Sequence, residues 1–192
     1  MNYLAARRAM IDNQLRPEGV TDGGVLAAMG SIPREDYVPD AARGFAYFDR
    51  PILLGEGRAM MPPAALGRLL SELAPRAGER VLVVGGASGY SAALLTAIGL
   101  AVTSIDRLDG ADGDDAGEGF DLILIDGAVE QIPQPLIDRL VEGGRLGAAL
   151  RASGVSRLVV GRAAAGRLGL RTIVDADVPS LPHDARPPAF TF

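Results

Sequence analysis

Cysteine is absent from the 192 residues. That absence removes disulfides, thiolate zinc sites and cysteine nucleophiles from the possible chemistry. It is compatible with a reducing compartment, and a cytoplasmic location is the expectation. Histidine occurs once, at position 183. Basic charge is also short: Lys and Arg total 19 against 24 Asp and Glu, a net charge of −5. Generic nucleic-acid binding needs a basic face, so no nucleic-acid partner is expected. No stretch approaches the ~18 consecutive apolar residues of a membrane span. The opening "MNYLAARRAMIDNQLRP" lacks the continuous apolar core of a signal peptide. No membrane partner is expected either, and the chain carries no internal repeat.

What is present is ordinary globular composition, 48% hydrophobic and 22% charged, on a length that suits one domain with a real core. Apolar residues Leu4, Met10, Ile11 and Leu15 fall near helical spacing. "PEGVTDGGVLAAMGSIP" reads as a turn and then a short helix capped by Thr21 or Asp22 and stopped by Pro33. Residues 34–57 are irregular, with most of the aromatics. "PPAALGRLLSELAP" reads as a helix with proline at its start and after its end. From residue 80 the pattern changes. "RVLVV", "AVTSID", "DLILID" and "RLGAAL" read as buried strands. "GYSAALLTAIG" and "PQPLIDRLVEGG" read as helices between them. Alternating strand and helix predicts a doubly wound, mostly parallel α/β sheet of Rossmann-like type. "SRLVVGRAAAGRLGLRTIVDADV" then reads as an antiparallel pair at the sheet edge. The expectation is a single domain over 1–192: an N-terminal helical lobe (1–76), a Rossmann-like core (77–150), and C-terminal strands with a Pro-rich tail (151–192).

In such a sheet, ligands bind at the carboxyl ends of the strands. Three features fall there. The turn Gly85-Gly86-Ala87-Ser88-Gly89 leads a strand into a helix. Asp106 closes the next strand, about twenty residues on, where a carboxylate can accept both ribose hydroxyls. Asp126 and Gly127 close the strand after that. The bland alternative is a tight turn with Asp106 as a cap.

These segments resemble the protein-L-isoaspartate O-methyltransferase family. The resemblance runs from "MIDNQLRPEGVTDGGVLAAMGSIPREDYVPDAARGFAYFDRPILLGEGRAMMPP" through "RVLVVGGASGYSAALLTAIGLAVTSIDR" to "FDLILIDGAVEQIPQPLIDRLVEGGRL". It implies S-adenosylmethionine as cofactor and carboxyl methylation of isoaspartyl residues in peptides or proteins as the activity. It further implies Gly85, Gly86, Ala87, Gly89 and Asp106 as cofactor-binding positions. Asp126 and Gly127 would line the methyl-transfer site. A homodimer is a possible assembly.

Three departures bear on activity. Val83 stands where the family carries an acid that helps hold the cofactor's methionine end, and Ala87 stands where it has a second glycine. In "GRAMMPP", Met61 takes the place of a family serine implicated at the substrate carboxylate, and Ala59 that of a threonine. Neither offers a strong hydrogen bond, and core or loop packing is the expectation for Met61. Finally, only the fourteen residues of "RLDGADGDDAGEGF" separate Asp106 from Asp121. A parallel crossover needs at least ~10–12 residues, and an added strand and helix pair roughly thirty. The sheet should therefore be short, and the adenine side open or missing. Two readings follow: a repair methyltransferase with activity impaired or lost, its cofactor binding in question, or an inactive member serving as a binding or interaction module.

The remaining candidates are weaker. His183 beside Asp184 invites acid–base chemistry, but adjacent residues in an extended segment point apart, and docking is expected. Ser88 lacks the register of a nucleophile elbow. The acids Asp109, Asp112, Asp114, Asp115 and Glu118 fail the EF-hand spacing, so a solvated loop and no metal are expected. Tyr47 matches a family position near the substrate cleft. Burial with a bonded hydroxyl is its alternative.

Overall fold

A computed structural model describes residues 2–108 and 119–181. Helix α1 (Tyr3–Met10) begins at Asn2, whose side chain accepts from Ala5 N, and runs on as a π-helical turn over Ile11–Leu15. Helix α2 (Gly23–Ser31) settles the choice of cap. Asp22 Oδ1 accepts from Val25 N at 2.9 Å, leaving Thr21 outside. Two short 3₁₀ turns follow, and then a hairpin of β1 (Ile52–Gly55) and β2 (Arg58–Met60) that the turn-rich sequence concealed. Helix α3 (Pro63–Leu73) ends on Ala74 in the left-handed conformation, φ 47°, just before Pro75.

The sheet comprises β3 (Arg80–Val84), β4 (Ala101–Ile105), β5 (Phe120–Val129), β6 (Leu140–Ala152), β7 (Val155–Ala164) and β8 (Arg167–Asp175), in the order β4-β3-β5-β6-β7-β8. Pairing is parallel from β4 through β6 and antiparallel from β6 to β8. Helix α4 (Tyr90–Ile98) makes the β3–β4 crossover and ends at Gly99, φ 104°. This is the mostly parallel α/β architecture that the strand–helix alternation predicts, with the antiparallel pair at its edge. The order reverses at β3, which lies between β4 and β5. That reversal opens a crevice at the strands' carboxyl ends.

One expected element is corrected. "PQPLIDRLVEGG" yields only a four-residue helix, α5 (Gln134–Ile137), and β6 starts at Leu140. The apolar residues of this stretch serve the strand: Phe120 pairs with Leu140 on β6. The shortened sheet is observed. Among the described residues no strand lies outside β4, and ten residues, 109–118, separate the described ends of the β4–β5 connection. The acidic cluster and His183–Asp184 fall outside the described residues.

Two apolar clusters pack the two faces of the sheet. The larger joins Met10, Leu15, Met29, Leu66, Leu69 and Leu70 of the N-terminal helices to Val81, Val83, Leu122 and Leu124. The smaller holds Leu82, Val84, Ile123, Ile125 and Leu136. Alternate residues of each central strand serve alternate faces, which is why "RVLVV" and "DLILID" read as unbroken apolar runs.

Candidate functional site

The carboxyl ends of β3, β4 and β5 meet at a cavity of about 230 Å³. Gly85 and Ala87 come to it from the turn, Asp106 from the end of β4, and Asp126 from β5. Four positions singled out in the sequence thus converge in space. Parallel pairing explains it: Val84 is in register with Ile105 on one side and Ile125 on the other. Gly85, Asp106 and Asp126, the next residue in each case, therefore emerge at the same level. Asp126 and Gly127 do not close their strand, because β5 runs on to Val129 with an irregular register between Leu124 and Ala128.

The turn is built from its backbone. Gly85 adopts φ +92°, and its N–H donates to Ile105 O at 2.9 Å, tying the turn to β4. Gly89, at φ +75°, donates to Gly86 O at 2.7 Å and caps α4. Ser88 Oγ accepts from Tyr90 N at 3.1 Å, so this hydroxyl is an end cap for the helix. Ala87 is exposed on the cavity rim. Asp106 is exposed as well, on the cavity's outer side.

Asp126 is different. It is 8% exposed, and its Oδ2 accepts from Ser91 Oγ at 2.5 Å. Burial pushes its carboxyl above the usual carboxylate range, against the pull of the Ser91 hydrogen bond and the Arg34 guanidinium. A raised folded-state value means that the native protein holds this proton more tightly than the unfolded chain. The stabilisation is full below the unfolded value and is lost as pH rises through the folded one. Stability measured against pH should therefore fall more for the wild type than for Asp126→Asn as pH climbs out of the acid range. Parallel curves would contradict this.

Leu181 roofs the site. A Cβ built on Gly85 or on Gly127 would lie 2.5 Å from Leu181 Cδ2. The segment is held by main-chain bonds: Ala128 N donates to Pro179 O at 2.8 Å, and Leu181 N donates to Ala128 O at 2.9 Å. Gly127 is thus covered by leucine. Gly85→Ala should destabilise the fold by about 1–3 kcal/mol through positive φ and overpacking. Adding Leu181→Ala should recover the packing share and leave the backbone share. Denaturant midpoints of the single and double variants would show that non-additivity.

Other sequence candidates separate from the cavity. Met61 is fully buried in the larger cluster, with its carbonyl accepting from Arg34, so its side chain packs as expected. Ala59 does line the cavity. Tyr47 is 4% exposed; its hydroxyl donates to Glu35 and accepts from Arg7 Nε at 2.8 Å. The Arg7–Glu35 pair closes that network at 3.2 Å. Tyr47 is therefore a buried, bonded aromatic away from the cavity lining. Sequence reasoning missed Glu56 and Arg58 of the hairpin, Ser91 behind Asp126, and Leu181. Only the spacing of Ser91, one residue into α4, could have hinted that it faces the turn.

Comparison with known proteins bears directly on this arrangement. The model of the protein-L-isoaspartate(D-aspartate) O-methyltransferase family matches residues 5–108 and 100–162. The chain belongs to this family. The two matched pieces overlap across 100–108, the strand β4 and its end. The family pattern thus breaks where the crossover is short. A protein-L-isoaspartate O-methyltransferase 2 of Anaeromyxobacter sp. is 37% identical over 164 positions, covering 73% of this chain and 68% of the relative. One from Desulfosudis oleivorans is 32% identical over 183 positions, covering 83% of each. In the first alignment 73% of 192 residues is about 140, so about two dozen of the 164 aligned positions lack a counterpart here. Two solved structures share the fold. A protein-L-isoaspartate O-methyltransferase superposes with TM-score 0.74 at 19% identity; the match covers 91% of this chain and 65% of that one. A Plasmodium falciparum protein described as a putative member, in complex with S-adenosyl-L-homocysteine, superposes with TM-score 0.72 at 18% identity, covering 94% and 98%.

Proposed function

We propose that the cavity at the ends of β3, β4 and β5 holds S-adenosylmethionine, and that methyl transfer to isoaspartyl carboxylates is impaired in this chain. The observation that carries the first half is the convergence of Gly85, Ala87, Asp106 and Asp126 on one cavity at the reversal of strand order. The residues present fit part of the cofactor. Asp106 offers an exposed carboxylate for the ribose hydroxyls, and the Gly85–Gly89 turn leads into the N-terminus of α4. The cavity of about 230 Å³ is smaller than the ~300–1,000 Å³ usual for ligand pockets. Among the described residues no strand lies beyond β4 to wall the cavity on that side.

The cofactor supplies an electrophilic methyl on a sulfonium; its transfer to a carboxylate oxygen gives a methyl ester and S-adenosylhomocysteine. Because the carboxylate is itself the nucleophile, the protein must align it and exclude water, not activate it. That alignment needs donors. Met61 is fully buried and Ala59 has only a methyl, so neither side chain supplies one to the substrate. That loss supports impaired transfer, with Arg58 of the hairpin the donor that remains at the cavity. The reading as an inactive binding module is favoured by Leu181, which occupies the space beside Gly85 and Gly127.

The experiment is incubation with an isoaspartyl peptide and methyl-labelled cofactor. The expected result is cofactor binding with ester formation far slower than by a family member carrying the serine. Ester formation at that member's rate would overturn the impairment. An absence of cofactor binding would favour the module.

A further inference from the structure

Resting on the reading of the cavity as a cofactor site, the geometry points to Asp126 as the carboxylate that receives the cofactor's α-ammonium group. The methionine end of S-adenosylmethionine carries a primary ammonium, and a buried cation is tolerated only against a hydrogen-bonded counter-charge. On β3 there is none: Val83 is 1% exposed, and its Cγ1 lies 2.9 Å from where a Cβ on Gly86 would be. That same Cβ position lies 3.8 Å from Asp126 Oδ2, with Ser91 Oγ at 3.4 Å. A carboxylate therefore stands at the same glycine, delivered by the neighbouring strand. Strand register makes the substitution possible. Val84 pairs with Ile125, so Asp126 emerges beside Gly85, one step from the turn.

The surroundings of Asp126 leave it placed to take a further donor from the cavity. It lines the cavity yet is 8% exposed. Ser91 Oγ is the donor to its Oδ2, and burial outweighs the pull of that bond and of Arg34. Such a carboxyl is under-compensated, and an arriving ammonium supplies what it lacks. Asp126 thus assigns the methionine end of the ligand to the β3–β5 side of the cavity and leaves the ribose to Asp106 at the end of β4.

The test is calorimetric titration of wild type and Asp126→Asn with two probes, S-adenosylhomocysteine and 5′-methylthioadenosine. The second probe shares the nucleoside but has no ammonium. Asn preserves an acceptor for Ser91, and thermal unfolding of each variant reports whether the fold is intact. Wild type should bind both. Asp126→Asn should bind S-adenosylhomocysteine about 10- to 100-fold more weakly, as loss of a charge-assisted hydrogen bond predicts, and methylthioadenosine unchanged. Equal binding of S-adenosylhomocysteine by both proteins overturns the assignment while leaving the cofactor reading intact. Equal loss for both probes overturns it too, because a general structural role would do that. If wild type binds neither probe, the cofactor reading fails and takes this assignment with it.

Discussion

Replacing Arg34 with alanine is expected to lower stability by about 3–5 kcal/mol, the largest loss of any single substitution considered, because the partners of a buried charge would be left unmatched. Arg34 is fully buried. Its Nε donates to Ala46 O at 2.8 Å, and Nη2 donates to Met61 O. Its guanidinium carbon lies 5.0 Å from the centroid of the Tyr90 ring. One side chain therefore ties the irregular segment 34–61 to the first residue of α4. Burial pulls the guanidinium below its usual value, while Tyr90 and Asp126 oppose that shift. Removing the side chain strands two carbonyls, at about 1–3 kcal/mol each, and deletes the ring contact. For a chain of this length the loss corresponds to a fall in Tm on the order of 10 °C. Thermal unfolding measures it directly. A change under about 1 kcal/mol would show that the segment is held by its apolar contacts alone. Tyr90→Phe should cost much less, since the ring contact with Arg34 is retained.

Asp106→Ala is expected to weaken S-adenosylhomocysteine binding by about 1.5–3 kcal/mol, on the order of ten- to a hundredfold, with little effect on folding. Asp106 follows β4 directly and lines the cavity while remaining exposed. It contributes no packing, so a drop in affinity without a drop in Tm isolates its role. A carboxylate accepting two vicinal hydroxyls makes two charge-assisted bonds that alanine cannot replace. Exposure weakens each bond, which is why the estimate stays at the lower end. Unchanged affinity would mean that Asp106 is only the polar end of an edge strand.

The strands of the core were legible because both faces of β3 and β5 are covered, so their sequences are continuous apolar runs bounded by turn residues. The turn and Asp106 were legible because glycines and an acid at strand ends have a defined spacing. The extent of β6 was not. "PLIDRLVEGG" carries helical spacing, and pairing of Leu140 with Phe120 overrides it. The hairpin at 52–60 was hidden because β2 has three residues, too few to show alternation. Leu181 could not be foreseen at all. It reaches the site through an isolated bridge, Ser180 against Ala128, and nothing periodic marks a three-residue docking segment. Asp126 was legible as the acid that follows an apolar run, though not as a residue inside the strand, which continues to Val129. Its burial, and the approach of Val83 to the same glycine, needed coordinates.

The central claim is that this shortened member of the isoaspartyl methyltransferase family keeps a working cofactor site while positions 59 and 61 beside it offer the substrate no side-chain donor. Calorimetric titration of the wild-type protein with S-adenosylhomocysteine tests it most directly. One site per chain with micromolar or tighter Kd is the predicted result; no heat and no thermal shift up to millimolar ligand would contradict it.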